Sequence, residues 1–319
     1  MSKNSDKHYV GIDVSMKHLD VCVKSTGEYF RVENNAGGYR EIKKRLSAYP
    51  PCLLIAEASG GYERGLVQGM QNLGFDIAVV NPRQVRDFAK ALGRLAKTDK
   101  IDACVIAHFG EVIQPKATVR VDKASQALSD YQERRRQLVD MLTMEKNRYA
   151  KSGESVHKQI KKTLDFLEKQ LKEVEKNLKD RIDENEALRK QVEQLKSVDG
   201  VGDVTAFSLV IDLPELGKVT RKEIAALVGV APFSKDSGKM KGVREIGGGR
   251  ANVRTALYMA TLVATKHNSI IKAYYEKLCS MGKKKKVAII ACARKLLVMM
   301  NAMVKNNTTW GANLVKNKA

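Results

Sequence analysis

No apolar run in this chain reaches the roughly 18–20 residues that a membrane span requires. The longest candidate, Val287 to Met300, is interrupted by Arg294 and Lys295 and reads as a buried helix. The first residues, Met-Ser-Lys-Asn-Ser-Asp-Lys, lack the apolar core of a secretory signal. The five cysteines form no Cys-x-x-Cys pair and sit inside apolar patterns, which argues against a disulfide framework and a zinc knuckle. A reduced, cytoplasmic protein is expected. His8, His18, His108 and His157 have no metal-ligand spacing. With 43% hydrophobic residues the chain can bury a core, which argues against wholesale disorder.

Positive charge is in excess. Lys and Arg number 57 against 36 Asp and Glu, a net +21. From Lys235 onward the count is 18 basic to 3 acidic, a net of +15. A short run such as Lys283, Lys284, Lys285 and Lys286 is ordinarily just a solvated face. A whole segment this basic repels itself unless a polyanion offsets it, which favours nucleic acid over an anionic membrane surface.

The pattern along the chain predicts three parts. Residues 1–118 read as β-β-β-α-β-α-β-α. Tyr9–Val14 and Cys52–Glu57 are apolar strands ending in carboxylates, and Thr98 can cap a helix running toward His108. That order implies a mixed sheet with helices on its faces. Residues 119–196 are helical: Leu164, Leu167, Leu171, Val174 and Leu178 recur at heptad spacing. This seam fits either a spacer that dimerises as a coiled coil or a hairpin that buries it within one chain. Residues 197–319 are mainly α-helical and basic. There Val198-Asp-Gly-Val-Gly202 is either half of a phosphate-holding helix-hairpin-helix element or a simple interhelix turn. Gly247–Gly249 could let backbone approach nucleic acid or form a flexible loop.

Four carboxylates do not fit their surroundings. Asp13 and Glu57 end apolar strands, while Asp99 and Asp102 share one helix face. Gathered at one sheet edge, they would repel one another unless a hard divalent cation, Mg²⁺ or Mn²⁺, sat among them. Two such ions about 4 Å apart assist phosphodiester chemistry. Taken singly, each acid could equally be a cap or a first-turn residue favoured by the helix dipole.

Those residues carry a resemblance. Tyr9-Val-Gly-Ile-Asp13-Val-Ser, Ile55-Ala-Glu57-Ala-Ser-Gly-Gly-Tyr62, Val80-Asn-Pro82 and Lys97-Thr-Asp99-Lys-Ile-Asp102-Ala resemble the RuvC-like, RNase H-fold DEDD domain of the insertion-sequence "one-ten" transposases, relatives of the Piv-type DNA invertases. Ser197-Val-Asp-Gly-Val-Gly202, Phe233-Ser-Lys-Asp-Ser237-Gly238 and Arg254-Thr-Ala-Leu-Tyr-Met259 resemble that group's second, serine-bearing domain. The resemblance implies that Asp13, Glu57, Asp99 and Asp102 hold the metal, and that Ser237 attacks a DNA phosphate to form a phosphoserine link. It also implies dimers that assemble into tetramers on donor and target DNA, a structured guide (bridge) RNA as partner, and no membrane. The sequence following Ser237 departs from the family pattern, which keeps Ser234 as a second candidate.

A serine hydroxyl needs a base or a metal to activate it. The histidine nearest in sequence, His267, is 30 residues from Ser237, so a Ser–His pair is unsupported. Lys235, Lys239, Lys241, Arg244, Arg250 and Arg254 surround the serine and, with Lys283–Lys286, could hold phosphates. A structure-specific nuclease of the Holliday-junction kind, using the acids alone, and a basic nucleic-acid-binding scaffold are the alternatives.

Overall fold

The computed structural model describes residues 7–94, 98–120, 122–233 and 244–311. The chain divides into two compact units, Met1–Val121 and Asp122–Ala319.

The first unit follows the predicted order, with both the helix that Asn81-Pro82 opens and the helix that Thr98 caps after the last strand. Strands β1 (His8–Val14), β2 (His18–Val23) and β3 (Tyr29–Glu33) precede α1 (Ala36–Leu46). Then come β4 (Cys52–Glu57), α2 (Glu63–Asn72), β5 (Asp76–Val80), α3 (Pro82–Ala91) and α4 (Asp99–Ile113). The sheet runs β3-β2-β1-β4-β5. β1, β2 and β3 pair antiparallel, whereas β1, β4 and β5 run parallel. This mixed sheet with its helices is consistent with an RNase H-like domain. Val10, Ile12, Leu54 and Ile77 are buried in a core completed by Ile42, Leu66 and Met70 of α1 and α2.

Helix α4 lies on the other face and is admitted by missing side chains. A Cβ on Gly11 of β1 would collide with the Ala103 carbonyl oxygen and the Ala107 amide. A Cβ on Gly110 would strike the Ile55 side chain. With Ala103, Ala107 and Gly110 toward the strands, helix and sheet backbones come into direct contact. The Thr98 hydroxyl accepts from the Ile101 amide and caps the helix, and Asp99 and Asp102 fall in its first turn, where the dipole favours anions.

One expectation about the cysteines is overturned. Cys22 of β2 and Cys104 of α4 are joined in a disulfide with their Cα atoms 5.1 Å apart. Their spacing along the chain, 82 residues, hides a proximity that only the packing of α4 across β2 creates. Cys52, Cys279 and Cys292 are free thiols.

The second unit is helical. Helices α5 (Lys123–Lys151) and α6 (Glu154–Asp183) lead to α7 (Glu186–Lys196), α8 (Asp203–Asp212) and α9 (Arg221–Val228). A short ribbon of β6 (Pro232–Phe233) and β7 (Glu245–Ile246) follows, then α10 (Ala251–His267), α11 (Ser269–Ser280) and α12 (Lys285–Asn306). Arg135 pairs with Glu175 at 2.9 Å and Lys146 with Glu168 at 3.3 Å, so α5 and α6 run antiparallel. Leu167 and Val174 of the heptad seam pack on Leu138 and Leu142 of α5, flanked by Leu164 and Leu171. The seam therefore has its partner within the chain. At the glycine turns Gly200 and Gly249 are packed, while a side chain on Gly202, Gly247 or Gly248 would meet open space. The Gly200 backbone lies against Ala264 of α10, so that segment is an interhelix turn. Gly248 and Gly249 have positive φ and press on Gly229 at the end of α9, so they form a packed joint. By length and composition α12 could cross a membrane. Half of that stretch is buried inside the protein, however, with Leu296, Leu297 and Met300 in the core.

Three outcomes test this architecture. Gly11→Ala should lose about 1–3 kcal/mol in urea unfolding, since the added methyl meets backbone; an unchanged midpoint would refute the close approach. Leu167→Ala should cost about 2–4 kcal/mol and leave the mass in light scattering unchanged. The Cys22–Cys104 bridge should contribute about 4–5 kcal/mol through the long loop it closes. Alkylation of the denatured chain without reductant should modify three of the five cysteines; modification of all five would exclude the bridge.

Candidate active site

The parallel register of β1 and β4 sets Ile12 opposite Ala56, so the next residues, Asp13 and Glu57, stand at the same level of the sheet on adjacent strands. Both are half-buried. The antiparallel register of β1 and β2 sets Asp20 directly across from Asp13. Asp20 is almost wholly buried. Helix α4 brings its capped N-terminus to the same edge. Burial, followed by the charges of Asp102, Asp20 and Asp99, pushes the Asp13 carboxyl above the usual carboxylate range, partly offset by the Val14 amide. The like charges of the two helix acids and the strand-end acid thus reach one another. Glu57 stands level with Asp13 on the adjacent strand.

Sequence reasoning missed the groups that make this crowding tolerable. Arg31 of β3 donates to both oxygens of Asp20, at 2.9 and 3.1 Å, and also pairs with Asp99 at 2.5 Å. Tyr29 donates its hydroxyl to Asp20 at 2.5 Å, and that bond pushes the Tyr29 hydroxyl pKa upward. Held chiefly by Asp20 and then by Asp99, the Arg31 guanidinium binds its proton more tightly than usual. Arg31 therefore ties a buried strand acid to an exposed helix acid, and so ties β2 and β3 to the start of α4. A signal for it existed. The tight turn between β1 and β2 fixes a register that faces Asp13 with Asp20, and two facing acids demand a counter-charge.

The donors at this edge are carboxylate oxygens, which suit a hard divalent cation. Burial and like charge already disfavour the ionised form of Asp13, and a cation would relieve both. Among the described residues no three His, Cys, Asp or Glu side chains stand together as a ready metal-holding group. The donor chemistry fits such an ion, while the geometry leaves Asp99 on Arg31.

In the second unit, Ser234, Lys235, Ser237, Lys239 and Lys241 lie outside the described residues. They fall between β6 and β7, whose pairing sets Phe233 opposite Glu245 and brings the two ends of that segment together. Arg244 is exposed at one end of it. Two of the basic residues expected to contact nucleic acid are engaged within the protein. Arg250 forms a bidentate pair with Glu215 at 2.5 and 2.7 Å. Arg254 donates to the carbonyls of Val228 and Gly248 at 3.0 and 2.6 Å. These bonds fasten the glycine joint to α9. Lys283–Lys286 are exposed, and the last two open α12, where the helix dipole adds to their positive charge.

Comparison with known proteins agrees with both units. Residues 10–152 match a family model of DEDD type described as "Transposase". Residues 192–276 match the "Transposase IS116/IS110/IS902 family". The pilin gene-inverting proteins of Moraxella bovis and Moraxella lacunata are each 26% identical over 316 residues, covering 94% of this chain and 97% of the relative. The two matches follow one another along the chain and agree with the two relatives: the chain is similar to IS110-type transposases and to DNA invertases, and is a DNA recombinase of the transposase kind.

Proposed function

We propose that this recombinase cuts and rejoins DNA strands by using the acid cluster of the first unit together with Ser237 of the second. The observation that carries the reading is the crowding of Asp13 by Asp102 and Asp99 at one sheet edge, level with Glu57. Asp13, Glu57, Asp99 and Asp102 would hold Mg²⁺ or Mn²⁺. When bound, such an ion lowers the pKa of a coordinated hydroxyl and stabilises charge on the leaving oxygen. Arg31 and Asp20 position the helix acid and keep β2 fixed beneath it.

Ser237 is the nucleophile in this reading, and Ser234 the alternative. Its Oγ forms a bond to a DNA phosphorus as the bond from that phosphorus to the leaving strand's oxygen breaks. The serine proton departs and the leaving oxygen gains one. Because the phosphodiester energy is kept in the phosphoserine, the hydroxyl of another strand can attack in turn, rejoin the DNA and free the serine. Water in place of serine would only hydrolyse the strand, as a structure-specific nuclease does. Lys235, Lys239, Lys241, Arg244 and Lys283–Lys286 would hold phosphates, while Arg250 is held by Glu215 and Arg254 braces the glycine joint. The reading includes a structured guide (bridge) RNA, dimers that assemble into tetramers on donor and target DNA, and a cytoplasmic, nucleoid-associated site of action in a bacterial or archaeal cell. Within it, the helical stretch 119–196 joins the catalytic region 1–118 to the serine-bearing region 197–319.

The test is cleavage of donor DNA with peptide mapping of any DNA-linked protein after denaturation. Asp99→Ala and Asp102→Ala should each abolish Mg²⁺-dependent cleavage while retaining nucleic-acid binding. Ser237→Ala should lose both cleavage and the adduct. An adduct on Ser234 would move the nucleophile. Cleavage by Ser237→Ala without any adduct would assign the chain to the nucleases.

A further inference from the structure

A cavity of about 450 Å³ opens in the second unit, lined by none of the residues assigned above. It is lined by Arg221 and Lys222 from the start of α9, Tyr274 of α11, and Ala291, Arg294, Lys295, Val298 and Met299 of α12. Ligand pockets are typically about 300–1,000 Å³, so it has room for a small organic group. Positions 291, 294, 295 and 298 follow helical spacing and form one half-buried stripe of α12. On the opposite side of that helix, Leu296, Leu297 and Met300 serve the core. The stripe therefore remains available to a ligand.

Its chemistry has two halves. Arg221, Lys222, Arg294 and Lys295 supply four cations, and no acid lines the cavity. None of the four is ion-paired among the described residues, unlike Arg250, Arg135 and Arg136 elsewhere in this unit. Ala291, Val298 and Met299 supply an apolar floor, and Tyr274 a ring whose face is covered by the Lys295 ammonium at 4.4 Å. Cations alone would suit any polyanion. Cations set over an apolar, aromatic-walled floor suit a ligand carrying a phosphate beside a flat apolar body.

We infer that this cavity receives an unpaired nucleotide of a DNA or RNA strand. The phosphate lies on Arg221, Lys222, Arg294 and Lys295, and the base lies on Val298 and Met299 beside Tyr274. A duplex presents its phosphates on a convex surface with its bases stacked inside, so it could reach the cations but would leave the floor empty. Proteins that hold single strands combine cationic tracks with such aromatic and apolar platforms. The inference rests on the reading that this chain acts on nucleic acid. It adds a second place where strands are held, one that discriminates unpaired from paired segments.

The test is fluorescence anisotropy of the full chain with short single-stranded DNA, single-stranded RNA of the same sequence, and a blunt duplex of equal length. Met299→Trp fills the cavity and leaves its cations in place. It should weaken single-strand binding about tenfold, as loss of one stacked base does, with duplex affinity changed less than twofold. Arg294→Ala with Lys295→Ala, both half-buried and outside the core, should lower the single-strand salt slope by about 1.4, at about 0.7 per phosphate. A larger loss with RNA than with DNA would identify RNA as the occupant, and the reverse would identify DNA. Unchanged single-strand affinity in Met299→Trp, with circular dichroism unaltered, would overturn the inference, as would equal losses for duplex and single strand. Poly-glutamate bound as tightly as the single strand, and weakened by the same variants, would replace the nucleotide with an acidic peptide. Failure of the unsubstituted chain to bind any of the three nucleic acids would refute the broader reading and this one together.

Discussion

Backbone contact between α4 and β1, made possible by the absence of a side chain at Gly11, is the constraint on which the first unit turns. The helix has to lie this low on the sheet for its first turn to reach the strand ends. Raised by the width of a methyl group, α4 would carry Asp99 and Asp102 away from Asp13. The small residues Ala103, Ala107 and Gly110 serve the same end from the helix side. Cys104 and Arg31 then hold the helix in place, one by a covalent link to β2 and the other by an ion pair from β3. Three different interactions from three strands thus fix one helix terminus. Such redundancy is expected where like-charged groups are packed against their mutual repulsion.

The parts of this site that were legible in the sequence are those with local signals. Strand-end acids stand out against apolar runs, Thr98 marks a helix start, and an i, i+3 pair shares a face whatever the tertiary fold. The missed parts depend on register or on distant packing. Asp20 reads as the polar member of an alternating strand until the β1–β2 pairing faces it with Asp13. Only the next pairing, β2 with β3, sets Arg31 opposite Asp20. Cys22 and Cys104 each look like an apolar filler, and nothing along the chain relates them. The heptad seam stands out in the sequence as an apolar stripe, but a stripe does not name its partner. A second chain and a neighbouring antiparallel helix satisfy the same pattern, and here Leu138 and Leu142 of α5 occupy the seam.

Counting cations likewise overstated what the second unit can offer a ligand. Arg250 and Arg254 belong to the same basic stretch as Arg244, yet both are spent on Glu215 and on backbone carbonyls that close the Gly229–Gly249 joint. Arginine suits this use because its planar fork satisfies several acceptors at once. Conversely, Arg221, Lys222, Arg294 and Lys295 lie in unremarkable helical sequence, and only the tertiary packing of α9, α11 and α12 brings them around one cavity. Net charge therefore indicates the class of partner, while the ion pairs decide which cations remain free to meet it.

The two units carry opposite electrostatic problems, and the recombinase reading gives both the same solution. A carboxylate edge repels a phosphodiester, so the first unit gains nothing in affinity from the acids proposed to be catalytic. Its acids are useful to chemistry only once a divalent cation has reversed the local sign. The second unit attracts phosphate wherever its cations are unpaired, but among the described residues it has no acid cluster with which to activate a hydroxyl. Affinity and activation are thereby separated onto different parts of the chain. An enzyme that must hold several strands through cleavage and rejoining benefits from this division, because strands can stay bound while the covalent link is made and broken. If a single site supplied both, release of the bond would coincide with release of the strand. On this view the excess of Lys and Arg keeps the broken ends in place for as long as the phosphoserine lasts.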